Sequence, residues 1–443
     1  MHPIALRCIR CGTEYPPNDA FGGCERCESL GKPTNLQVIY PEDELIAAAR
    51  RIGRATRQPT DMWHYRDLLP VDPDNVTTLG EGGTPLLAVP RLGAAIGVPR
   101  LYVKDESRNP TGSFKDRLGA AAVSAARQLG RQAVVGSSSG NAGAALAALA
   151  ARAGMPCVMF TTQDFPLAMK TQMGVYGTYL LAAPTIRDRW NLMEAGVRRY
   201  GWFPVTVYRY PFFGSNAYGI EGYKTIGYEI VDQLDGPPDA IVFPVGAGDA
   251  FSGTYKALTE YARAGVIDRV PTMHAAEVFG PLEQALATGS DVVQEADTHG
   301  VTTVAISVGS TMSTYQALDV LQRTGGAARS ASNAEMLAAQ RDLAALEGIW
   351  VETSSALAVA ALPKLVRAGA LDPEGVVVAV LTSTGLKDPE TTAANLPPIP
   401  SVGADFETAA QTLQEIYRFD PANQNPTHTD PTNRNPGTLR STT

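Results

Sequence analysis

LYVKDESRNPTGSFKDRLGAAAVSAARQLGRQAVVGSSSGNAGAALAALAARAGMPCVMFT, residues 101–161, is the stretch whose reading decides the fold. Its short apolar run LYVKDE (101–106) gives way to the alanine-rich SFKDRLGAAAVSAARQLG (113–130). Then come QAVVGSSSG (132–140), NAGAALAALAARAG (141–154) and PCVMFT (156–161). Strand-like pieces alternating with helix-like ones predict an α/β architecture with largely parallel sheets. The alternation resumes in AIVFPVG (240–246), TMHAAEVFG (272–280), IWVETSSALAVAALPKLVRAG (349–369) and GVVVAVLTSTG (375–385). Ligands in such sheets collect at the carboxyl ends of strands, so the Gly/Ser-rich turns there are the places to look for chemistry.

Four turns stand out. In SRNPTGSFKDR (107–117), Gly112 and Ser113 leave open space before Lys115 at an expected helix start. A helix N-terminus disfavours a nearby positive charge, which favours the neutral, nucleophilic form of the amine that an imine-forming lysine needs. SSSGNAG (137–143) offers hydroxyls, an amide and helix N–H groups suited to a carboxylate or phenolic oxygen. LTSTGLKDP (381–389) places Thr382 at the end of a strand, with Lys387 and Asp388 beside it as supporting residues. In PVGAGDAFSG (244–253), Gly246, Gly248 and Asp249 fall at a strand-to-helix turn, where glycines admit a phosphate to backbone donors.

The last turn has two readings. GAGD followed by an aromatic residue resembles the anion hole of ribokinase-type sugar kinases, with the aspartate as base. That reading expects the motif near the end of the domain and sugar-binding residues near its start, and it leaves the other three turns without a purpose. Together the four turns offer a lysine, a cradle for a phenolic oxygen, a phosphate loop and a hydroxyl acceptor. Those are the needs of pyridoxal phosphate at its aldehyde carbon, 3′-oxygen, phosphate and ring nitrogen.

NPTGSFKDR, SSGNAGAALAALAARAG, EGYKTIGYEI and TGLKDP, in that order, resemble the threonine synthase branch of the type II pyridoxal-phosphate enzymes, as does LGEGGTPL at 79–86. The resemblance implies two open, largely parallel α/β domains with the cofactor between them. It implies that Lys115 carries the Schiff base, Asn141 bonds the 3′-oxygen, Gly246, Ala247, Gly248, Asp249 and Ala250 hold the phosphate, and Thr382 meets the pyridine nitrogen. Ser138 and Ser139 are expected to grip the substrate carboxylate. Asn216 and Lys224, retained from the family pattern, are expected to bind substrate. The implied chemistry is elimination or replacement at Cβ or Cγ of an amino acid, first of all threonine synthesis from O-phosphohomoserine. The alternatives are a threonine/serine dehydratase, an ammonia-lyase, a β-replacement synthase on an activated serine, or a non-catalytic paralogue. Family members are commonly homodimers.

Three departures from the branch touch its substrate side. In NAYGIEGYKT (216–225), Gly219 stands where the pattern has arginine and Tyr223 where it has glutamine. GAGDA replaces a run with asparagines, so Asp249 is expected to point away from the phosphate, capping the following helix. Leu118 stands where a glycine often follows FKDR.

Outside this core the chain carries a cysteine pair at each end of a short loop. Cys8-x2-Cys11 and Cys24-x2-Cys27 read as a small zinc ribbon; four thiolates leave no open position, so its zinc is structural. Cys157 reads as a buried strand thiol. The expected organisation is a ribbon-like segment at 1–35, a connector arm at 36–78, a catalytic core at 79–395 with a smaller domain at about 119–212, and a mostly disordered tail at 396–443. The Pro/Asn/Thr-rich end of that tail, from about Thr412, is expected to be disordered. A net charge of −8 argues against a nucleic-acid partner. No apolar segment is long enough to span a bilayer, so a cytoplasmic location and no membrane partner are expected.

Overall fold

Strands buried on both faces need apolar, β-branched runs, and Val377–Leu381, Ala240–Pro244 and Cys157–Thr161 are buried at every residue. The computed structural model describes residues 1–18, 21–53, 59–207, 209–210, 212–298 and 300–419. Their core is a six-stranded sheet in the order 328–330, 272–277, 240–244, 377–381, 101–105, 86–88. Every neighbouring pair is parallel except the antiparallel edge strand Leu86–Ala88. A second, fully parallel sheet runs 179–182, 157–161, 134–137, 203–204. It is built from chain that leaves the large sheet after Asp105 and returns at Ala240. The carboxyl ends of both sheets thus face one cleft, with the crossover helices Lys115–Gln128 and Asn141–Ala153 starting at it.

The lysine-bearing helix is almost wholly enclosed, with Asp116 through Ala126 buried. Alanines let it approach its neighbours closely, and Gly222 takes this furthest. A Cβ at 222 would sit 2.0 Å from the Arg117 carbonyl oxygen, so helix Ala217–Leu234 can lie against it only with glycine there.

A charged cluster with side chains fully withdrawn from solvent pins this pair of helices to the large sheet. Arg117 forks onto Glu106 at 2.7 and 2.8 Å and onto Glu229 at 2.6 and 2.8 Å, while Lys104 reaches Glu229 at 2.7 Å. Burial would raise the Glu229 carboxyl, but Arg117 and Lys104 hold it down at about 2. Thr84 and Gly83 of the LGEGGTPL motif complete the cluster by bonding Glu106 and Glu229. Each partner satisfies another's lone pairs, the condition under which a buried ion pair is tolerated.

The N-terminal cysteines belong to a three-stranded antiparallel sheet, Glu14–Tyr15, Ala5–Cys8 and Leu36–Ile39. The third strand draws residues 36–39 of the expected connector into the ribbon. The rest of the connector holds the helix Glu42–Gly53 and two short 3-10 turns. At the other end, Phe406–Glu415 forms a helix capped by Asp405, with no buried residue. Thr412–Glu415 complete this helix where disorder was expected, with the Asp405 cap and the Gln411–Glu415 and Thr412–Thr408 bonds as its local contacts. Residues 420–443 lie outside the described residues. No helix among the described residues is long and apolar enough to cross a membrane.

Candidate active site

Two turns, 107–117 and 381–389, are stitched together at the floor of the cleft. Phe114 N–H donates to the Thr382 carbonyl at 2.9 Å, and Ser113 pairs with Ser383. Gly112 sits at φ +82°, where a Cβ would meet Thr384 Cγ2 at 2.8 Å, so this junction needs glycine. The stitching brings Lys115, Asn141, Thr382 and the 246–250 turn onto the wall of one cavity of about 490 Å³.

Lys115 is enclosed by the rings of Phe114 and Tyr223, with its Nζ 4.5 and 5.6 Å from their centroids. Among the described residues the amine has no hydrogen-bond or ion-pair partner. Burial lowers its pKa, opposed by the charges of Asp249 and Glu352. An amine so placed is held toward its neutral, nucleophilic form.

Asn141 opens the helix Asn141–Ala153 and is buried. Its amide donates to Glu352 at 3.2 and 3.3 Å and to Ser307 at 3.3 Å, and its carbonyl accepts from Ser383 at 3.4 Å. Thr382 Oγ1 lies 2.8 Å from Ser355 Oγ, which fixes the hydroxyl. Ser138 Oγ accepts from Gly140 N–H, and Ser139 Oγ lies among Thr161, Thr162 and Arg189.

The glycine-rich turn has the form of an anion cradle. Gly248, at φ +79°, is the left-handed residue before helix Asp249–Arg263, and a Cβ there would meet Ala317 Cβ at 2.5 Å. Carbonyls of Gly246 and Ala247 are drawn off by Ser313 and Thr314 at 2.7 and 2.6 Å. The backbone N–H groups of Ala247, Gly248, Asp249 and Ala250 donate to no described residue. Free donors at a helix start bind anions.

The expectation that Asp249 caps its own helix is corrected. Its carboxylate is taken by Ser215 N–H at 3.1 Å, Ser215 Oγ at 2.7 Å and Gln316 Nε2 at 2.6 Å, all from other elements. Gln316 in turn accepts from Asn35 of the N-terminal segment at 3.3 Å, so the turn is braced from the ribbon side.

Asn216 and Lys224 are a second correction: neither lines the cavity. Asn216 caps helix Ala217–Leu234 through Tyr218 N–H at 2.9 Å and donates to the Pro204 carbonyl at 2.7 Å. Lys224 is buried against Glu221, Glu260 and the Leu68 carbonyl at 2.9, 3.1 and 2.7 Å. Their hydrogen-bonding capacity goes to the fold.

Glu352 and Arg189, both on the cavity wall, were not among the expected residues. Burial raises the Glu352 carboxyl to about 7, against the hydrogen bonds of Asn141 and Ser307 that lower it. Its signal was present in WVETSSA, a single acid between an apolar segment and a helix. Lys387 lies on a neighbouring cavity and donates to Gln172; burial lowers it to about 8.

The four cysteine sulfurs lie within 4.8 Å of one another, with Cys8–Cys27 at 3.7 Å and Cys11–Cys24 at 3.6 Å. A tetrahedral zinc with Zn–S bonds of about 2.3 Å has S···S edges of about 3.8 Å, so the donor set fits a closed structural zinc site.

Residues 77–383 match the family model described as "Pyridoxal-phosphate dependent enzyme". The threonine synthase of Methanosarcina acetivorans is 38% identical over 390 residues, covering 87% of this chain and 93% of that protein. The threonine synthase of Methanocaldococcus jannaschii is 33% identical over 417 residues, covering 93% and 99%. Among solved structures, maize serine racemase superposes with a TM-score of 0.59 at 20% identity, covering 70% of this chain and 90% of that one. A threonine deaminase isoform from Solanum lycopersicum gives 0.58 at 20% identity, covering 80% and 86%. At that identity the structural likeness speaks for the fold alone.

Proposed function

The chain belongs to the pyridoxal-phosphate dependent enzymes, and within that family we propose that it is a threonine synthase, converting O-phosphohomoserine and water to threonine and phosphate. The observation that carries this reading is the buried, unpartnered Lys115 amine at the meeting of four polar turns, on a chain similar along most of its length to threonine synthases.

The residues present fit the cofactor. The free N–H groups at 247–250 would hold its phosphate, and a Cβ at Gly246 would meet nothing nearer than Val308 Cα at 3.8 Å, so the cradle is open. Asn141 would bond its 3′-oxygen, Thr382 its ring nitrogen, and Lys115 its aldehyde carbon. Bound there, pyridoxal phosphate supplies an electron sink for charge developing at the substrate Cα. Lys115, whose burial favours the uncharged amine, takes the Cα proton. Ser138, Ser139 and the start of helix Asn141–Ala153 orient the substrate carboxylate. Thr382, a hydroxyl locked by Ser355, would not enforce protonation of a ring nitrogen held against it, which suits elimination and replacement at Cβ or Cγ.

Cys8, Cys11, Cys24 and Cys27 hold a structural zinc in this reading, and the enzyme works as a homodimer in the cytoplasm on a small amino-acid substrate. The test is to supply O-phosphohomoserine, O-phosphoserine, serine and threonine separately to the cofactor-loaded protein. Phosphate and threonine released from the first in equal amounts support the reading. Ketoacid from serine or threonine, with no turnover of O-phosphohomoserine, replaces it with a dehydratase.

A further inference from the structure

Arg189 lies in the first turn of helix Ile186–Tyr200 and lines the same cavity as Lys115. Its Nη1 donates to Ser139 Oγ at 2.7 Å, while its Nε is buried with no hydrogen-bond partner. Burial works against its charge and no acidic group offsets that effect. The contrast with Arg117 is plain, since that guanidinium is enclosed by two carboxylates. Arg189 is half-buried, and partly withdrawing a guanidinium from water without a counter-ion carries a cost that an anion entering the cavity removes.

The surroundings suit a phosphate. Ser139 Oγ, the acceptor for Arg189, lies 2.9 Å from Thr161 Oγ1 and 3.1 Å from Thr162 Oγ1, so Arg189 shares the cavity wall on the small-sheet side with two hydroxyls, Ser139 and Thr162, while Thr161 is buried against Ser139. The cofactor cradle at 246–250 belongs to the large sheet and has its own donors. Gly219 and Leu118 complete the picture. A Cβ at 219 would meet Leu118 Cδ1 at 2.7 Å, Cγ at 3.2 Å and its carbonyl oxygen at 3.3 Å. Leucine fills the space into which a long side chain from 219 would project, so these two positions are one exchange and no cation can come from there.

We infer that Arg189, held in place by Ser139 and joined by Thr162, forms the pocket for the leaving phosphate of the substrate. This rests on the proposed O-phosphohomoserine reaction, and the substrate's α-carboxylate remains with the turn at 138–142.

The test compares two ligands on the cofactor-loaded enzyme. Inorganic phosphate is titrated as a competitor by calorimetry, and L-2-aminobutyrate, with amine and carboxylate but no phosphate, is titrated by the absorbance of bound cofactor. In Arg189→Gln, phosphate affinity falls and the KM for O-phosphohomoserine rises, each about 10- to 100-fold, the size of one charge-assisted contact. Aminobutyrate binding changes less than about threefold. Arg189→Lys, which keeps the charge but not the fork, recovers part of the phosphate affinity and guards against a folding defect in the glutamine variant. An equal loss for aminobutyrate puts the guanidinium on the carboxylate and overturns the inference, as does phosphate affinity unchanged by either variant. If the wild type turns over no O-phosphohomoserine, the threonine synthase reading falls by itself. Phosphate binding that depends on Arg189 then still upholds an anion pocket, and phosphate binding indifferent to Arg189 removes it.

Discussion

Lys115 and Arg117 leave the same helix two residues apart, Arg117 fully buried and Lys115 half-buried at the cavity, and their fates differ completely. Arg117 faces the large sheet and is met by Glu106, Glu229 and the Thr84 hydroxyl. Lys115 faces the cavity and is met by two aromatic rings. Burial opposes the charge on both, but only Arg117 has carboxylates close enough to reverse that effect. A buried charge with its counter-ion holds two helices and a sheet in register. A buried amine without one is available for chemistry.

The strongest test of this contrast is Lys115→Ala. It should cut turnover by at least about 10³-fold and abolish the absorbance of covalently held cofactor. Thermal stability of the cofactor-free protein should hardly change, since no ion pair is broken. A variant that unfolded instead would make Lys115 a structural residue like its neighbour.

Arg117→Met should do the reverse, stranding Glu106 and leaving Glu229 with Lys104 alone, and should cost about 3–5 kcal/mol of stability in denaturant unfolding. Adding Glu106→Met to it should cost less than the sum of the two single changes, because the second removes the charge the first had stranded.

The two sides also differ in the sign of their pH dependence. Glu229, held at about 2 by Arg117 and Lys104 against its own burial, contributes stability that is present above the ordinary carboxylate value near 4.5. That contribution is lost as the pH falls from there toward about 2. Glu352, raised by burial to about 7, favours folding fully only below its ordinary value of 4.5, and this contribution is lost as the pH rises through about 7. Unfolding of Glu229→Gln and Glu352→Gln across pH 2–8 should each flatten its own limb of the wild-type curve, and a common limb for both would end the distinction.

The smallest effect on turnover is expected at the ribbon. Cys11→Ser should lower bound zinc from one equivalent toward none by metal analysis and lower the midpoint of thermal unfolding. Turnover should fall less than about tenfold, because the ribbon reaches the phosphate turn indirectly, through Asn35 bonding Gln316 and Ser215, which in turn hold Asp249.

The four turns could be read in advance because each announces itself locally. Gly246 and Gly248, the SSSGN run, Gly112 before Lys115 and Thr382 after a valine-rich strand are short-range patterns, and all four line the cavity. Asn216 and Lys224 were misplaced by the same kind of reading. A retained motif says which residue is present, and the packing of helix Ala217–Leu234 turned both into structural contacts. Arg189 carried no signal at all, since a basic residue in a helix first turn looks solvated until another sheet covers it.

From residues alone came the alternation of strands and helices, the strand-end turns and the cysteine hooks, since backbone conformation and metal-ligand spacing are set by composition over a few neighbouring positions. Which cations end with counter-ions was decided only in three dimensions. Asn141 and Glu352 are 211 positions apart, Arg117 and Glu229 are 112, and Arg189 and Ser139 are 50. Desolvation and charge pairing depend on such distant neighbours, and so the difference between a structural arginine, a reactive lysine and a waiting anion pocket exists only once the chain has folded.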